Sequence, residues 1–320
     1  MGNDPLVSIC CITYNHSNYI GEAIESFLQQ KTTFPFEICI GEDHSNDKTR
    51  EICIDFAKKY PNSIRLFLRS RNDVIYINGI ATGRYNMVET LKQCRGKYIA
   101  ICEGDDYWSN LKKLQKQYDF LKKEKLVGVF GKTSKYDGSS YTDIEYPFLS
   151  SIHNKNIIID YDKLPYDQWL FAHTSTFFFK RFIIDEYIQN PGNNNKLFYD
   201  ICNSGRVGFL NENMSVYRQH SQAISVRRGI DKKLNCNHYY NNYLFFKNLK
   251  NKSKILKPQI RYRYNYSIIA LLGCREKTTF YEKTFAILYF LISFKSNKYF
   301  ENLKFVKKRL SSIFFHGGAW

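Results

Sequence analysis

Residues 6–13 read LVSICCIT, an almost unbroken run of apolar and β-branched residues. A strand that is apolar on both faces must be covered on both faces, which confines it to the interior of a parallel sheet flanked by helices. The pattern continues in that sense. A turn with Asn15 and Asn18 leads into a helix ending near Gln30. Strands are predicted at 36–40, 63–68, 97–102 and 126–130, alternating with helices at 46–59, 79–94 and 111–124. Such alternation with short joints predicts an α/β fold with a doubly wound, mostly parallel sheet. Residues 131–165 carry little pattern and read as loop-rich. A strand at 175–180, helices at 181–190 and 196–204, and a short strand at 207–210 follow. Beyond about residue 230 only helical patterns remain.

In doubly wound sheets ligands bind beyond the carboxyl ends of the strands. Three polar clusters fall at such ends here: Thr13–Asn15, Glu42–Asp47 and Glu103–Asp106. The sharpest is Glu103-Gly104-Asp105-Asp106-Tyr107-Trp108, directly after a buried strand. Carboxylates crowded at a strand end repel one another unless something compensates them. A hard divalent cation does so, and Mg²⁺ or Mn²⁺ is usually held by one or two carboxylates together with substrate phosphates. A solvated acidic turn that caps the helix at 111 is the competing structural reading of the same hexapeptide.

The stretches VSICCITYN, IGEDHSNDKT and GKYIAICEGDDYW, in that order, resemble the successive signatures of family 2 glycosyltransferases. The likeness covers residues 5–130 closely and 170–220 more loosely. It implies a GT-A fold that binds a nucleotide sugar, most often a uridine diphosphate sugar, and an inverting hexosyltransferase-type reaction. Carried over by position, Thr13, Tyr14 and Asn15 line the nucleotide pocket, Asp43 accepts from the base, and Asn86 helps hold the nucleotide. Glu103 and Gly104 face the ribose or metal, and Asp105 is the metal ligand. Glu103 departs from the family's usual Asp by one carbon. His44 replaces the usual Gly after the acidic pair and reads as an exposed loop residue. In the stretch 205–220, which resembles the segment that closes the site, His220 completes the metal shell or touches the diphosphate; a plain surface His is the alternative. Arg218 is placed to meet phosphate oxygens.

Inverting transfer needs a base that takes the acceptor hydroxyl proton. Where relatives place a carboxylate, this sequence has Asn193-Asn194-Asn195, and an amide cannot serve. Asp200 is the expected base if the register has slipped, with His173 as the alternative. A third possibility is a protein of the same fold that binds a nucleotide sugar with weak or no transfer. A nucleotidyltransferase is disfavoured, because TYNHSN supplies no Gly-rich phosphate loop after the first strand.

Charge is unevenly spread. The chain carries 47 Lys/Arg and 30 Asp/Glu, and 20 of those bases but only four of the acids lie at 221–320. The remaining body is nearly neutral. The expected organisation is a GT-A domain at 1–222, with a nucleotide-sugar half at 1–110 and an acceptor half at 111–222, and a basic helical region at 223–320. Within that region Tyr299, Phe300, Leu303, Val306, Leu310, Ile313 and Phe314 recur at helical spacing beside lysines, which suits either an anionic membrane surface or packing on the core. Nucleic acid is not expected as a partner. The acceptor expected is a glycan or lipid-linked glycan. Nine scattered cysteines without a CxxC pair, and a beginning without a signal-peptide pattern, point to a reducing, cytoplasmic setting.

Overall fold

The computed structural model describes residues 4–271, apart from 78, 147–148, 150–154, 162–169, 224–225, 228–229 and 253–257. The aromatic and basic stripe at 299–314 therefore lies outside the described residues. The chain divides into two compact units, Met1–Leu164 with Leu170–Ala223, and Pro165–Trp169 with Ile224–Trp320.

The first unit runs β1 (Val7–Thr13), α1 (Ile20–Leu28), β2 (Phe36–Glu42), α2 (Thr49–Lys59), β3 (Ile64–Leu68), β4 (Tyr76–Ile77), β5 (Ile80–Ala81), α3 (Arg84–Gln93) and β6 (Tyr98–Ile101). It continues with α4 (Lys113–Lys123), β7 (Gly128–Tyr136), β8 (Tyr141–Asp143), β9 (Ile157–Ile159), β10 (Phe178–Lys180), α5 (Ile183–Gln189), α6 (Asn194–Asn203) and β11 (Val207–Arg218). A nine-stranded sheet is ordered β3-β2-β1-β6-β10-β7-β11-β9, with β8 paired on β7. The first four strands of that order are mutually parallel, as are β7 and β11. The all-apolar reading of β1 holds: Val7, Ile9, Cys10 and Cys11 are fully buried. In α1 the residues Ile20, Ala23, Ile24 and Phe27 recur at helical spacing and are likewise buried, so one stripe of the helix covers the sheet.

β10 is antiparallel to both of its neighbours, β6 and β7. It therefore begins at the edge where β6 ends. The turn His173–Thr176 that leads into β10 is delivered to the segment that follows β6, and Ile101 N donates to Phe177 O at 3.1 Å. This reversal brings two stretches some seventy positions apart in sequence to one place.

Several elements differ from expectation for local reasons. The strand expected at 207–210 runs on to Arg218, because bulges after Leu210 and Asn213 shift its register while pairing with β7 continues. Asn211, Glu212 and Asn213 disguise that continuation as a polar loop. The helix expected from 79 begins at Arg84, since residues 76–81 form the small β4–β5 hairpin. Residues 174–176 form a tight turn rather than the start of a strand.

In the second unit, α7 (Lys232–Lys252) and α8 (Pro258–Leu271) pack on each other, with the rings of Tyr243 and Tyr264 stacked at 5.8 Å. Seven described cysteines are free and buried, whereas Cys236 of α7 is disulfide-bonded, which the scattered spacing of the cysteines did not lead one to expect. No helix among the described residues is long and apolar enough to cross a membrane.

Candidate active site

The turn after β6 is held from both sides. Gly104 N donates to Ile12 O at 2.9 Å, and a Cβ at position 104 would lie 2.6 Å from Thr13 Oγ1, so the close approach of the two strand ends requires glycine. On the other side the end of β11 acts as a clamp. Arg218 N donates to Asp106 Oδ1 at 3.0 Å, and its guanidinium donates to Asp105 O at 2.8 Å and pairs with Glu22. The guanidinium also lies 4.3 Å from the ring of Tyr107. Arg218 thus braces the carboxylate turn from the end of β11.

Carboxylate oxygens of Glu103, Asp105 and Asp106 lie within 4.8 Å of one another. Burial pushes Glu103 up to about 7, with the charge of Asp105 adding to the effect and the bond from Asn194 opposing it. Burial, then the neighbouring carboxylates, also raises Asp106 well above the usual range. For Asp105 burial acts upward as well, but the His220 hydrogen bond and the nearby imidazoles prevail and hold it low. Without a cation the three groups do not all carry charge. His220 Nε2 stands 3.3 Å from Asp105 Oδ2, and His16 Nε2 stands 3.7 Å from the same oxygen.

At the end of β2, Glu42 is fully buried and spent on the scaffold, pairing with Arg50 and accepting from Ser45 N at 2.7 Å. Asp43 differs. Its Oδ2 accepts from Arg71 at 3.1 Å, while its Oδ1 is buried without a hydrogen-bond partner among the described residues. Burial raises the Asp43 carboxyl, and Arg71 counters. The Arg71 guanidinium lies 4.2 Å over the ring of Tyr14, which is 38% exposed. Asn15 (φ 55°) and His44 (φ 60°) adopt left-handed backbone conformations, and Asn15 Oδ1 accepts from Asn46 N at 3.0 Å, so the two strand-end turns lock together. Asn86 is buried below them: its amide donates to Gly41 O at 2.8 Å and its Oδ1 accepts from Thr90. Those are scaffold contacts that hold the end of β2.

On the third side, Asn193 caps α6, and Asn194, the first residue of that helix, donates to Glu103 Oε1 at 3.1 Å and to Thr174 Oγ1 at 3.0 Å. The residue brought to the cluster from this helix is therefore the asparagine. Asp200 is paired with Lys196 Nζ at 2.5 Å, and burial pushes it up to about 6. His173 does reach the cluster, with Nδ1 3.8 Å from Asp106 Oδ2 and 2.8 Å from Ser175 Oγ; burial lowers it to about 4, so it is neutral near pH 7.

Sequence reasoning missed His16, Arg71 and Arg84. Arg84 opens α3, is partly buried with its pKa lowered by that burial, and has no ion-pair partner among the described residues. An arginine two residues before an expected nucleotide-side residue, Asn86, is the kind of signal that a motif built on carboxylates overlooks.

A mostly parallel sheet with a carboxylate turn beyond β6, and an acidic residue, Asp43, beyond β2 on the far side of β1, defines a GT-A nucleotide-sugar-binding scaffold. The profile of glycosyl transferase family 2 matches residues 8–188, and the chain belongs to that family. Among curated relatives, an uncharacterized protein of Mycobacterium tuberculosis is 31% identical over 223 residues, 68% of this chain and 60% of the relative, so the chain spans well under two thirds of that protein's length. The minor teichoic acid biosynthesis protein GgaB of Bacillus subtilis is 34% identical over 101 residues, 31% of this chain and 10% of GgaB. Of solved structures, S. aureus TarS 1-349 in complex with UDP superposes with a TM-score of 0.59 at 14% identity, covering 98% of this chain and 92% of that one. The mannosyltransferase PcManGT of Pyrobaculum calidifontis, with GDP-Man and Mn²⁺, gives 0.56 at 12% identity over 98% of this chain and 87% of that one. At those identities the structures speak for the fold alone.

Proposed function

We propose that the chain transfers a sugar, with inversion, from a uridine diphosphate sugar to a glycan or lipid-linked glycan in surface polysaccharide synthesis. The observation that carries the donor reading is Asp43 Oδ1, a buried acceptor without a partner among the described residues, at the end of β2, which β1 separates from the strand that carries the carboxylate turn. Leaving such an atom unpaired costs about 1–3 kcal/mol, which an N–H donor of a base recovers. Tyr14 and Arg71 flank it as a stacking surface, Thr13 and Asn15 line the nucleotide side, and Arg84, without an ion-pair partner among the described residues, supplies a cation for phosphate. In this reading residues 1–110 form the nucleotide half, 111–222 the acceptor half, and 223–320 a basic region that approaches anionic membrane from the cytoplasmic side.

The donor set fits a divalent metal, Mn²⁺ or Mg²⁺: clustered carboxylate oxygens whose charging is opposed by burial and then by one another, with His220 beside Asp105, the one whose pKa is held low. Asp105 and His220 would hold the ion, with Glu103 and Gly104 toward the ribose. When bound, it supplies positive charge for the leaving diphosphate. Proton removal from the acceptor falls to a side chain of this protein. His173, neutral, held through Nδ1 by Ser175 and 3.8 Å from Asp106, is better placed than Asp200, which Lys196 engages. Teichoic acid biosynthesis, in the name of GgaB, supports the polysaccharide acceptor class.

A second reading is a nucleotide-sugar-binding protein with little or no transfer, favoured by the amide of Asn194 at the position expected for the base. Calorimetric titration of a donor panel with and without Mn²⁺, followed by turnover with each donor that binds, separates the two. Asp105→Ala should abolish the metal-dependent part of binding while leaving the thermal transition in place. Metal-dependent affinity that survives this substitution would remove the metal assignment.

A further inference from the structure

Asp105 stands between two imidazoles, and only one of them, His220, was expected at the metal. We propose that His16 is a further ligand of that ion, so that two imidazoles and the Asp105 carboxylate hold it and the site favours Mn²⁺ or Co²⁺ over Mg²⁺. This rests on the metal reading above and adds a residue and a selectivity to it.

The spacing suits a shared ion. With metal–ligand bonds of about 2.1 Å, adjacent ligand atoms of an octahedral shell stand about 3.0 Å apart and opposite ones about 4.2 Å. The distances from Asp105 Oδ2 to His220 Nε2 (3.3 Å) and to His16 Nε2 (3.7 Å) lie within that interval. The two rings are edge-on to each other, with centroids 6.3 Å apart and planes at 82°. Both rings turn Nε2 to the same carboxylate oxygen and neither stacks on the other.

The way His16 is held is that of a positioned ligand. Thr13 Oγ1 lies 3.2 Å from its Nδ1, so the second ring nitrogen is fixed from the protein side and Nε2 is the one turned to Asp105. A hydrogen bond to the non-ligating nitrogen is the usual way a protein orients a metal-binding imidazole. The backbone is fixed too: His16 N donates to Thr49 Oγ1 at 2.7 Å, and His16 O accepts from both Tyr19 N and Ile20 N at 2.9 Å, which starts α1. A loop histidine with no task has no need of restraint at ring, N–H and carbonyl together. Imidazole nitrogen is a poor match for Mg²⁺, which prefers oxygen and keeps its waters, and a better one for metals later in the first row. A second imidazole therefore moves preference away from Mg²⁺.

The test uses the full chain with UDP, loaded with Mn²⁺, and compares wild type with His16→Ala and His220→Ala. Pulsed electron paramagnetic resonance of Mn²⁺ reads the nitrogen couplings directly, without turnover. Two imidazole nitrogens are expected in wild type and one in either variant. Titration should show Mn²⁺ and Co²⁺ affinity falling roughly tenfold or more in His16→Ala, the range seen when metal-site partners are removed, and Mg²⁺ affinity falling much less. Should His16→Ala fail to fold, His16→Asn, whose amide keeps a partner for Thr13, takes its place. An unchanged nitrogen count, or an equal loss for all three ions, overturns the proposal. So does an equal loss of UDP affinity in the presence of chelator, which would place His16 on the diphosphate. Those failures leave the metal reading intact if wild type still binds Mn²⁺ through Asp105. Absence of Mn²⁺ binding by wild type with UDP removes both.

Discussion

Asn194, at the first position of α6, donates its side-chain amide to Glu103 Oε1 across 3.1 Å and so ties the acceptor side of the site to the carboxylate turn. An asparagine there neutralises nothing and removes no proton, but it orients the one carboxylate that is a carbon longer than its counterpart in relatives. If the pair works as a unit, a base must come from elsewhere. His173→Ala should then lower transfer by about 10²–10⁴-fold, the usual weight of a positioned base, with donor affinity unchanged. Asp200→Asn should leave transfer close to wild type. Transfer assays with a real acceptor check both; a large loss in Asp200→Asn with none in His173→Ala reverses the assignment. Acceleration on Asn194→Asp would show the natural protein to be a weakened transferase.

Asp43→Ala should weaken nucleotide binding by about 1–3 kcal/mol, since a buried partner is lost. The loss should persist in chelator, because Asp43 is assigned to the base and not to the phosphates. Calorimetry with UDP in EDTA measures it. Affinity that falls only when Mn²⁺ is present would place Asp43 in the metal network instead.

A stability prediction follows from Lys113, which is fully buried with Nζ on Gln117 Oε1 at 2.8 Å and 4.1 Å from the Trp108 ring. Burial lowers it to about 7. The unfolded chain keeps that proton to about pH 10.4, so between those values the unfolded state binds more protons and stability contributed at this site rises with pH, by up to about 1.4 kcal/mol per unit. Lys113→Met removes the slope. Denaturant melts at pH 7 and pH 9 should show the stability of the variant relative to wild type falling by about 1 kcal/mol or more over that span. Parallel pH curves for the two proteins would show that Lys113 stays charged when folded.

For the basic region, truncation before Asn297 should leave nucleotide binding intact and reduce binding to anionic liposomes, most of all at low salt. Equal liposome binding by both forms would mean that the stripe at 299–314 packs on protein.

How much of this was legible in the sequence follows from what each residue depends on. β1 and the carboxylate turn were legible because a doubly buried strand and a strand-end acid cluster are local patterns, and Gly104 came with the motif. The pairing of Asn194 with Glu103 was not, since it depends on β10 running against its neighbours, and strand direction leaves no trace in composition. The contacts of Arg218 with Asp105, Asp106 and Glu22 were not legible for a related reason: they depend on β11 ending against the carboxylate turn. His16 went unnoticed because its partner, Asp105, lies 89 positions away in the turn after β6.

β11 lies beyond the family profile, which stops at residue 188, yet it pairs with both β7 and β9 and carries Arg218. A fragment cut to the profile would leave β7 with a bare row of backbone donors and acceptors, the kind of edge that recruits other chains. It would also lose the clamp on Asp105 and Asp106. Expression trials that follow the profile boundary should therefore yield aggregate, and the shortest soluble form of the first unit should extend through Ala223.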